Sequence, residues 1–201
     1  VSGLPSGVGS HGKVRLTKDN QTRPLVEGAR WAVTEGWGEP EDLTFSEASG
    51  CVPGADPDAV SHKALERGRD QLGTLGSGNH FLEIQVVGQI YDEQAANVLG
   101  LFPGQVTVLM HTGSRGFGHQ VCTDHLAGME RAVKKYGIQL ADRQLACAPF
   151  GSDEAQAYLG AMLAAANYAW VNRQCLTHWT REVFRQIFKK APRDLEMSVV
   201  Y

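Results

Sequence analysis

Two glycine-rich segments of the sequence each carry a histidine beside groups that can bind phosphate. Residues 73–84 (GTLGSGNHFLEI) place His80 where a strand begins, and residues 110–119 (MHTGSRGFGH) lead from a strand through His111 into a turn that holds Arg115. Glycine lets the backbone approach a ligand closely, and successive amide groups in such a loop can form an anion-binding concavity. Arginine binds phosphate through a bidentate fork. The two segments could therefore hold a metal ion and an oxyanion together.

Each segment taken alone also has an ordinary structural explanation. A histidine at the end of a strand is more often a hydrogen-bonded structural residue than a metal ligand, and a glycine-rich loop is more often a plain turn. Residues 73–84 match neither the phosphate-binding loop of NTPases, since no Lys-Ser/Thr follows, nor the dinucleotide-binding fingerprint, since no helix follows. The occurrence of both segments favours a metal or phosphate site but leaves the structural explanation open.

The elements that position these segments are predicted from hydrophobic periodicity and turn residues. Helices and strands occur without regular alternation, which indicates an α+β fold. Strands are predicted at residues 81–90 and 106–110, the second of them buried, and residues 1–24, rich in Gly, Ser and Pro, are predicted to form a surface loop. Helices are predicted at residues 25–37, 57–67, 118–137 and 152–190.

Alternation of side chains along the first strand makes a further prediction about the site. Successive side chains of a strand point to opposite faces. Asn79, Phe81 and Glu83 are therefore expected on one face and His80 on the other.

Composition limits the class of protein. The 201 residues are 42% hydrophobic and 20% charged, which predicts a folded core. No run approaches the roughly 18 apolar residues of a membrane span. The net charge of −3 does not indicate nucleic-acid binding, although an active site needs only a local basic cluster. The four cysteines form no CxxC pair and are predicted to be reduced, which favours a cytoplasmic location: Cys51, Cys122, Cys147 and Cys175.

Residues 73–83 closely resemble the signature of RtcB, the tRNA-splicing RNA ligase family. Residues 111–116 with 118–120 (GHQ) resemble its second signature. Residues 142–146, 148–150 and 166–174 (DRQLA, APF and ANYAWVNRQ) look like further segments of the family. The resemblance implies that residues 1–201 form the central part of a single RtcB-like catalytic domain, without its flanking N- and C-terminal parts.

The resemblance also implies a reaction. The family joins an RNA end bearing a 2′,3′-cyclic phosphate or a 3′-phosphate to a 5′-hydroxyl end, using GTP and two manganese ions. It guanylylates a histidine before GMP moves to the RNA 3′-phosphate. By matching position, the metal ligands in this sequence are His80 and His111, and Arg115 contacts RNA phosphate. The implied guanylate-site residues are Asn79, Phe81 and Glu83.

Several functional residues of the family have no equivalent here. The family's Asp and Cys metal ligands precede this region, and its third histidine ligand and its guanylylated histidine follow it. The chain alone is therefore expected to be inactive. Two alternatives stay open: a non-catalytic piece that binds nucleotide or RNA, and an unrelated metal-dependent hydrolase that uses His80 and His111. The need for an activating protein is also open.

Overall fold

The architecture is a layer of helices packed on one long helix, together with a two-stranded antiparallel ribbon. It is a computed structural model that describes residues 3–7, 9–190, 192–195 and 197–199. In chain order the elements are α1 (Arg23–Glu27), α2 (Ala29–Thr34), α3 (Pro40–Thr44), α4 (His62–Gly68), β1 (Phe81–Val86), α5 (Glu93–Leu99), β2 (Val106–His111), α6 (Arg115–Lys135) and α7 (Asp153–Phe188). This content confirms the predicted α+β class.

The long helix α7 forms the spine of the core. Its predicted start is confirmed, because the Ser152 hydroxyl accepts a hydrogen bond from the amide of Ala155 at 3.3 Å and two acidic residues occupy the first turn. Helices α1, α2 and α6 pack against α7, and α4 packs against α6. Stacking of Phe117 on Tyr168, with ring centroids 4.8 Å apart, joins α6 to α7. None of the described helices combines the length and apolar character that a membrane crossing requires.

Tertiary contacts break or shift several predicted helices. The helix expected over residues 25–37 is divided at Gly28, whose φ of 57° and contact with the Gly50 carbonyl exclude a Cβ atom. The helix expected from residue 57 is a short 3-10 turn followed by α4, which Ser61 caps. Helix α6 begins at Arg115, three residues earlier than expected. Helices α3 and α5 were not predicted.

The ribbon formed by β1 and β2 sets the geometry of the site. Its register pairs Phe81 with His111 at one end and Val86 with Val106 at the other. The first strand is shorter than the predicted 81–90, and the second extends to His111. The expectation that the second strand is buried is wrong for this chain, because Val106 and Leu109 are 59% and 46% exposed. Among the described residues, no third strand joins the ribbon.

The N-terminal segment is not the surface loop that its composition predicted. Leu4, Val14 and Leu16 are buried, and Val14 forms an isolated antiparallel bridge with Leu72. The segment continues along the glycine-rich loop, where the amide of Leu75 donates to the Pro5 carbonyl at 2.9 Å. Residues 3–16 therefore support the loop that leads to His80.

A buried ion pair fixes the other end of the helical layer. The Arg181 guanidinium on α7 donates to both carboxylate oxygens of Asp42 on α3 at 2.7 Å, and Gln174 donates to Oδ2 at 2.7 Å. The two charged side chains are only 7% and 3% exposed. Burial opposes ionisation of Asp42, but the hydrogen bonds from Arg181 and Gln174 outweigh it and hold the pKa of Asp42 below its usual value.

This pair predicts a pH-dependent stability. A lowered carboxyl pKa stabilises the folded state above the unfolded-state pKa of about 3.9, and the stabilisation is lost as the pH falls through the lower folded-state pKa. Asp42→Asn leaves the Arg181 charge buried without its partner, so urea unfolding should show a loss of about 3–5 kcal/mol at pH 7. The variant should also lose less stability than the wild type between pH 5 and pH 2. The exposed pair Arg23–Glu27 supplies the control: Glu27→Gln should hardly change the urea midpoint. Equal midpoints for both variants would contradict the assignment.

Candidate functional site

The two histidines of the glycine-rich segments lie side by side. His80 immediately precedes β1 and His111 ends β2, and their ring centroids are 6.0 Å apart with an interplanar angle of 26°. The His111 ring also stacks on Phe81, its cross-strand neighbour, at 5.6 Å. The antiparallel register thus brings together two imidazoles that are 31 positions apart in sequence.

A hydrogen bond orients the His80 ring. Its Nδ1 lies 2.8 Å from the Ser77 carbonyl oxygen, which can only accept a hydrogen bond. Nδ1 is therefore the donor to this carbonyl, and Nε2 lies 3.4 Å from Arg115 Nη1. A carbonyl that holds one ring nitrogen is the arrangement that commonly orients a metal-binding histidine through its other nitrogen.

Arg115 lies against this histidine pair. Its Nε donates to the Thr74 hydroxyl at 3.3 Å, and its Nη1 lies 3.4 Å from His80 Nε2 and 3.1 Å from Nδ1. Burial lowers the pKa of the half-buried guanidinium, partly offset by Tyr168, although arginine keeps its charge in proteins. Among the described residues, no carboxylate lies within ion-pair distance of Arg115. The side chain is therefore a partly desolvated cation beside the imidazole of His80.

The backbone at Arg115 is strained. Its φ of 54° lies in the left-handed region, which costs a residue with a side chain on the order of 1–3 kcal/mol. The next amide, of Gly116, donates to the Gln71 side chain at 2.9 Å, and α6 continues from there. Strain of this kind persists only where the surroundings hold it, and it concentrates at functional sites. The Arg115 guanidinium rests on Gly76.

The first part of the glycine-rich loop is structural. The amides of Gly73 and Thr74 donate to the Asn172 side chain at 2.8 and 3.1 Å, and the amide of Leu75 donates to the Pro5 carbonyl. These three amides are therefore not available for the anion-binding concavity that the sequence suggested. Any backbone amides of this loop that bind an anion must therefore lie after Leu75.

Of the remaining predicted site residues, Phe81 is the one for which a contact with the histidine pair is observed among the described residues. Asn79 is exposed, Phe81 is half-buried, and Glu83 is exposed with its carboxylate accepting from Gln85 at 2.9 Å. The expectation that His80 points away from Phe81 is wrong, because His80 precedes the strand and strand alternation does not govern it. Both rings instead lie beside His111.

The histidine pair does not by itself complete a metal site among the described residues. Among the described residues, no group of three His, Cys, Asp or Glu side chains could hold a metal ion. Cys51 is unsuited, because its buried thiol donates to the Val26 carbonyl at 3.0 Å and burial raises its pKa. His125 lies 3.0 Å from the Ala59 carbonyl, a structural contact. The pair His80 and His111 would need further ligands from outside the described residues.

The site also contains residues that the sequence reasoning did not identify. Thr112 donates to the Leu75 carbonyl at 2.7 Å and so joins the two glycine-rich segments. Asn172, a polar residue inside the apolar run of α7, contacts both segments. A buried amide within a helical stretch of small and aromatic residues was the available signal, because such a group must find hydrogen-bond partners.

The contact between Arg115 and Gly76 predicts a difference between two glycine variants. Gly76 and Gly78 have φ of 104° and 74°, so alanine should cost each about 1–2 kcal/mol of backbone strain. A Cβ atom at Gly76 would occupy the place of the Arg115 guanidinium, whereas nothing lies within 4 Å of one at Gly78. Gly76→Ala should therefore move Arg115 away from His80, and Gly78→Ala should not. Side-chain ¹⁵N NMR signals of His80 should shift in the first variant alone; a shift of the same size in both would refute the contact.

Comparison with known proteins identifies relatives along the whole chain. A family model described as tRNA-splicing ligase RtcB matches residues 2–201. The tRNA-splicing ligase RtcB of Methanocaldococcus jannaschii is 58% identical over 198 residues, which are 98% of this chain and 20% of that protein. Those of Archaeoglobus fulgidus and Methanococcus maripaludis are 55% and 54% identical over 198 residues, covering 98% of this chain and 41% of each relative. The chain therefore spans less than half the length of these relatives, and it belongs to the RtcB family.

Proposed function

We propose that this chain contributes half of a metal centre and part of a nucleotide site to an RNA ligase that acts in tRNA splicing. The observation that carries the proposal is the stacked pair His80–His111 with Arg115 beside it, a cation that forms no ion pair among the described residues. Phosphoryl transfer depends mainly on positioning and on neutralising phosphate charge. A metal-binding face next to a fixed guanidinium meets both needs. This chain's membership of the RtcB family, and its relatives named tRNA-splicing ligase, support the same reaction class.

In this proposal His80 and His111 bind manganese, at a centre of two ions. The Ser77 carbonyl orients the His80 ring through Nδ1, and the His111 ring stacks on Phe81. When bound, manganese would supply positive charge that neutralises and polarises phosphate oxygens. The remaining ligands, which by resemblance include a thiolate and a carboxylate, would come from other parts of the polypeptide. A set of thiolate, imidazole and carboxylate groups suits a transition metal.

The residues after the structural part of the loop are proposed to bind GTP. The exposed Asn79 amide can donate to a phosphate oxygen, and the exposed Glu83 carboxylate can accept from a nucleoside amine or hydroxyl. Phe81 supplies an apolar wall between them. Arg115 is proposed to bind the phosphate of an RNA end through its bidentate fork. The RNA ends would be a 2′,3′-cyclic phosphate or 3′-phosphate and a 5′-hydroxyl.

The alternatives named from the sequence have less support. Family membership argues against an unrelated metal-dependent hydrolase. Relatives named tRNA-splicing ligase favour a ligase over a non-catalytic nucleotide- or RNA-binding role. The cytoplasmic location stays a prediction, and the need for an activating protein stays open.

One prediction compares the ligase activity of this chain with that of the full-length polypeptide. The 201-residue chain should seal no RNA in GTP and manganese, because a covalent nucleotidyl transfer cannot proceed without its acceptor histidine. The full-length polypeptide should seal a 3′-phosphate end to a 5′-hydroxyl end under the same conditions. Gel analysis of labelled RNA measures both. Sealing by the chain alone would overturn the proposed division of the site, and a full-length polypeptide that never seals RNA would overturn the function.

Another prediction concerns Arg115 in the full-length polypeptide. Arg115→Lys keeps the charge and the same backbone strain but loses the fork, so RNA joining should fall by about ten- to a hundredfold. The melting temperature and histidine guanylylation should stay nearly unchanged. The control is Arg131→Lys at an exposed position of α6, which should alter none of the three. A much lower melting temperature, or a guanylylation loss proportional to the ligation loss, would show that Arg115 is structural or belongs to the nucleotide site.

A further inference from the structure

One buried side chain on the long helix contacts both glycine-rich segments of the site. Asn172 is fully buried in α7, and its Oδ1 accepts from the amides of Gly73 and Thr74 at 2.8 and 3.1 Å. Its Nδ2 lies 3.0 Å from the Thr74 carbonyl, 3.1 Å from the Gly113 carbonyl and 3.4 Å from the Thr112 hydroxyl. The Asn172 side-chain oxygen thus accepts hydrogen bonds from the first segment, and its side-chain nitrogen donates to both segments.

The two segments depend on this amide for a physical reason. The contacted residues of the first segment precede β1, and the contacted residues of the second follow β2. Neither set has a strand partner or a helical hydrogen bond of its own there. A buried amide or carbonyl without a partner costs about 1–3 kcal/mol, so loss of Asn172 would leave these groups unsatisfied and loosen both segments, although Arg173 also donates to the Thr112 carbonyl at 3.2 Å. Thr112, which follows His111 directly, adds a bond between the segments through the Leu75 carbonyl.

We propose that Asn172 is a positioning residue that sets the relative placement of His80, His111 and Arg115. It touches neither metal nor nucleotide in this account. It fixes the loop that ends at His80 and the turn between His111 and Arg115 on one rigid helix. The consequence for metal and nucleotide binding rests on the proposed function, whereas the consequence for the backbone does not.

The same helix contains a matched control. Asn167 is also fully buried, accepts from the Val52 amide at 2.8 Å, and donates to the carbonyls of Leu25 and Val52 at 2.8 and 3.0 Å. It is the same residue type as Asn172, lies on the same helix and is equally buried. The segments that it holds, around residues 25 and 52, carry none of the site residues. Loss of Asn167 should therefore cost stability without changing the site.

Hydrogen exchange tests the backbone part of the proposal in the full-length polypeptide. Asn172→Ala and Asn167→Ala should lower the melting temperature by comparable amounts. Asn172→Ala should speed exchange at least tenfold in peptides covering residues 73–76 and 112–116, and Asn167→Ala should do so only around residues 51–53. Protection of residues 73–76 that is equal in wild type and Asn172→Ala would overturn the proposal. Equal acceleration of those residues by both variants would also overturn it.

Ligand binding tests the functional part, at a temperature well below both melting points. Asn172→Ala should weaken Mn²⁺ affinity by about tenfold or more, the range found when groups that orient metal ligands are removed. It should also slow histidine guanylylation. Asn167→Ala should stay within about twofold of wild type in both. Equal losses in the two variants would show that Asn172 acts only through stability.

A second pair of variants covers the case in which alanine prevents folding. Asn172→Asp removes the donors to the Thr74 and Gly113 carbonyls but keeps oxygen acceptors for the Gly73 and Thr74 amides, so faster exchange should appear mainly in residues 112–116. Asn167→Asp is its control and should leave residues 112–116 at the wild-type rate; faster exchange there in both, or in neither, contradicts the proposal. If wild-type protein neither binds Mn²⁺ nor becomes guanylylated, the proposed function fails, and the exchange pattern alone still decides the role of Asn172.

Discussion

The rest of the site depends on the hydrogen bonds of one buried amide. The two segments that carry chemistry are rich in glycine and lack a regular backbone ladder where they leave the ribbon, so their buried polar groups need partners from elsewhere. Asn172 supplies those partners from a 36-residue helix whose other side chains fill the core. Helix α7 packs against α1, α2 and α6. Its position therefore determines where the two segments, and the histidine pair that they carry, lie. The long helix thus fixes the positions of two segments that lack regular secondary structure at these residues.

Two arginines show how the same side chain serves structure and function. Arg181 is almost fully buried and both of its terminal nitrogens meet the Asp42 carboxylate, so its charge is neutralised within the fold. Arg115 is half-buried, strained in its backbone and in contact with a hydroxyl and an imidazole rather than a carboxylate. A desolvated guanidinium without an anion is stabilised when an anion arrives. The difference in partners supports assigning the phosphate role to Arg115 and a structural role to Arg181.

The sequence predicted the parts of the structure that depend on local pattern. The capped start of α7, the two strands and the α+β class follow from periodicity and turn residues, and they are confirmed. The break at Gly28 depends on the distant Gly50 carbonyl, and the burial of Leu4 depends on packing, so neither could be read locally. Within the site, the histidines could be chosen from their motifs. The register that brings Phe81 and His111 together, and the role of Asn172, required the tertiary structure.

Pulsed electron paramagnetic resonance of the Mn²⁺-loaded full-length polypeptide, with ¹⁵N-labelled histidine, tests the central claim most directly. The claim is that one fixed arrangement of loops makes His80 and His111 ligands of the same metal centre. The account predicts that histidine nitrogen couplings are present in the wild type and weaken in both His80→Ala and His111→Ala. The exposed His119, eight residues after His111, is the control, and His119→Ala should keep the wild-type couplings. Couplings that stay unchanged in His80→Ala and His111→Ala would contradict the account.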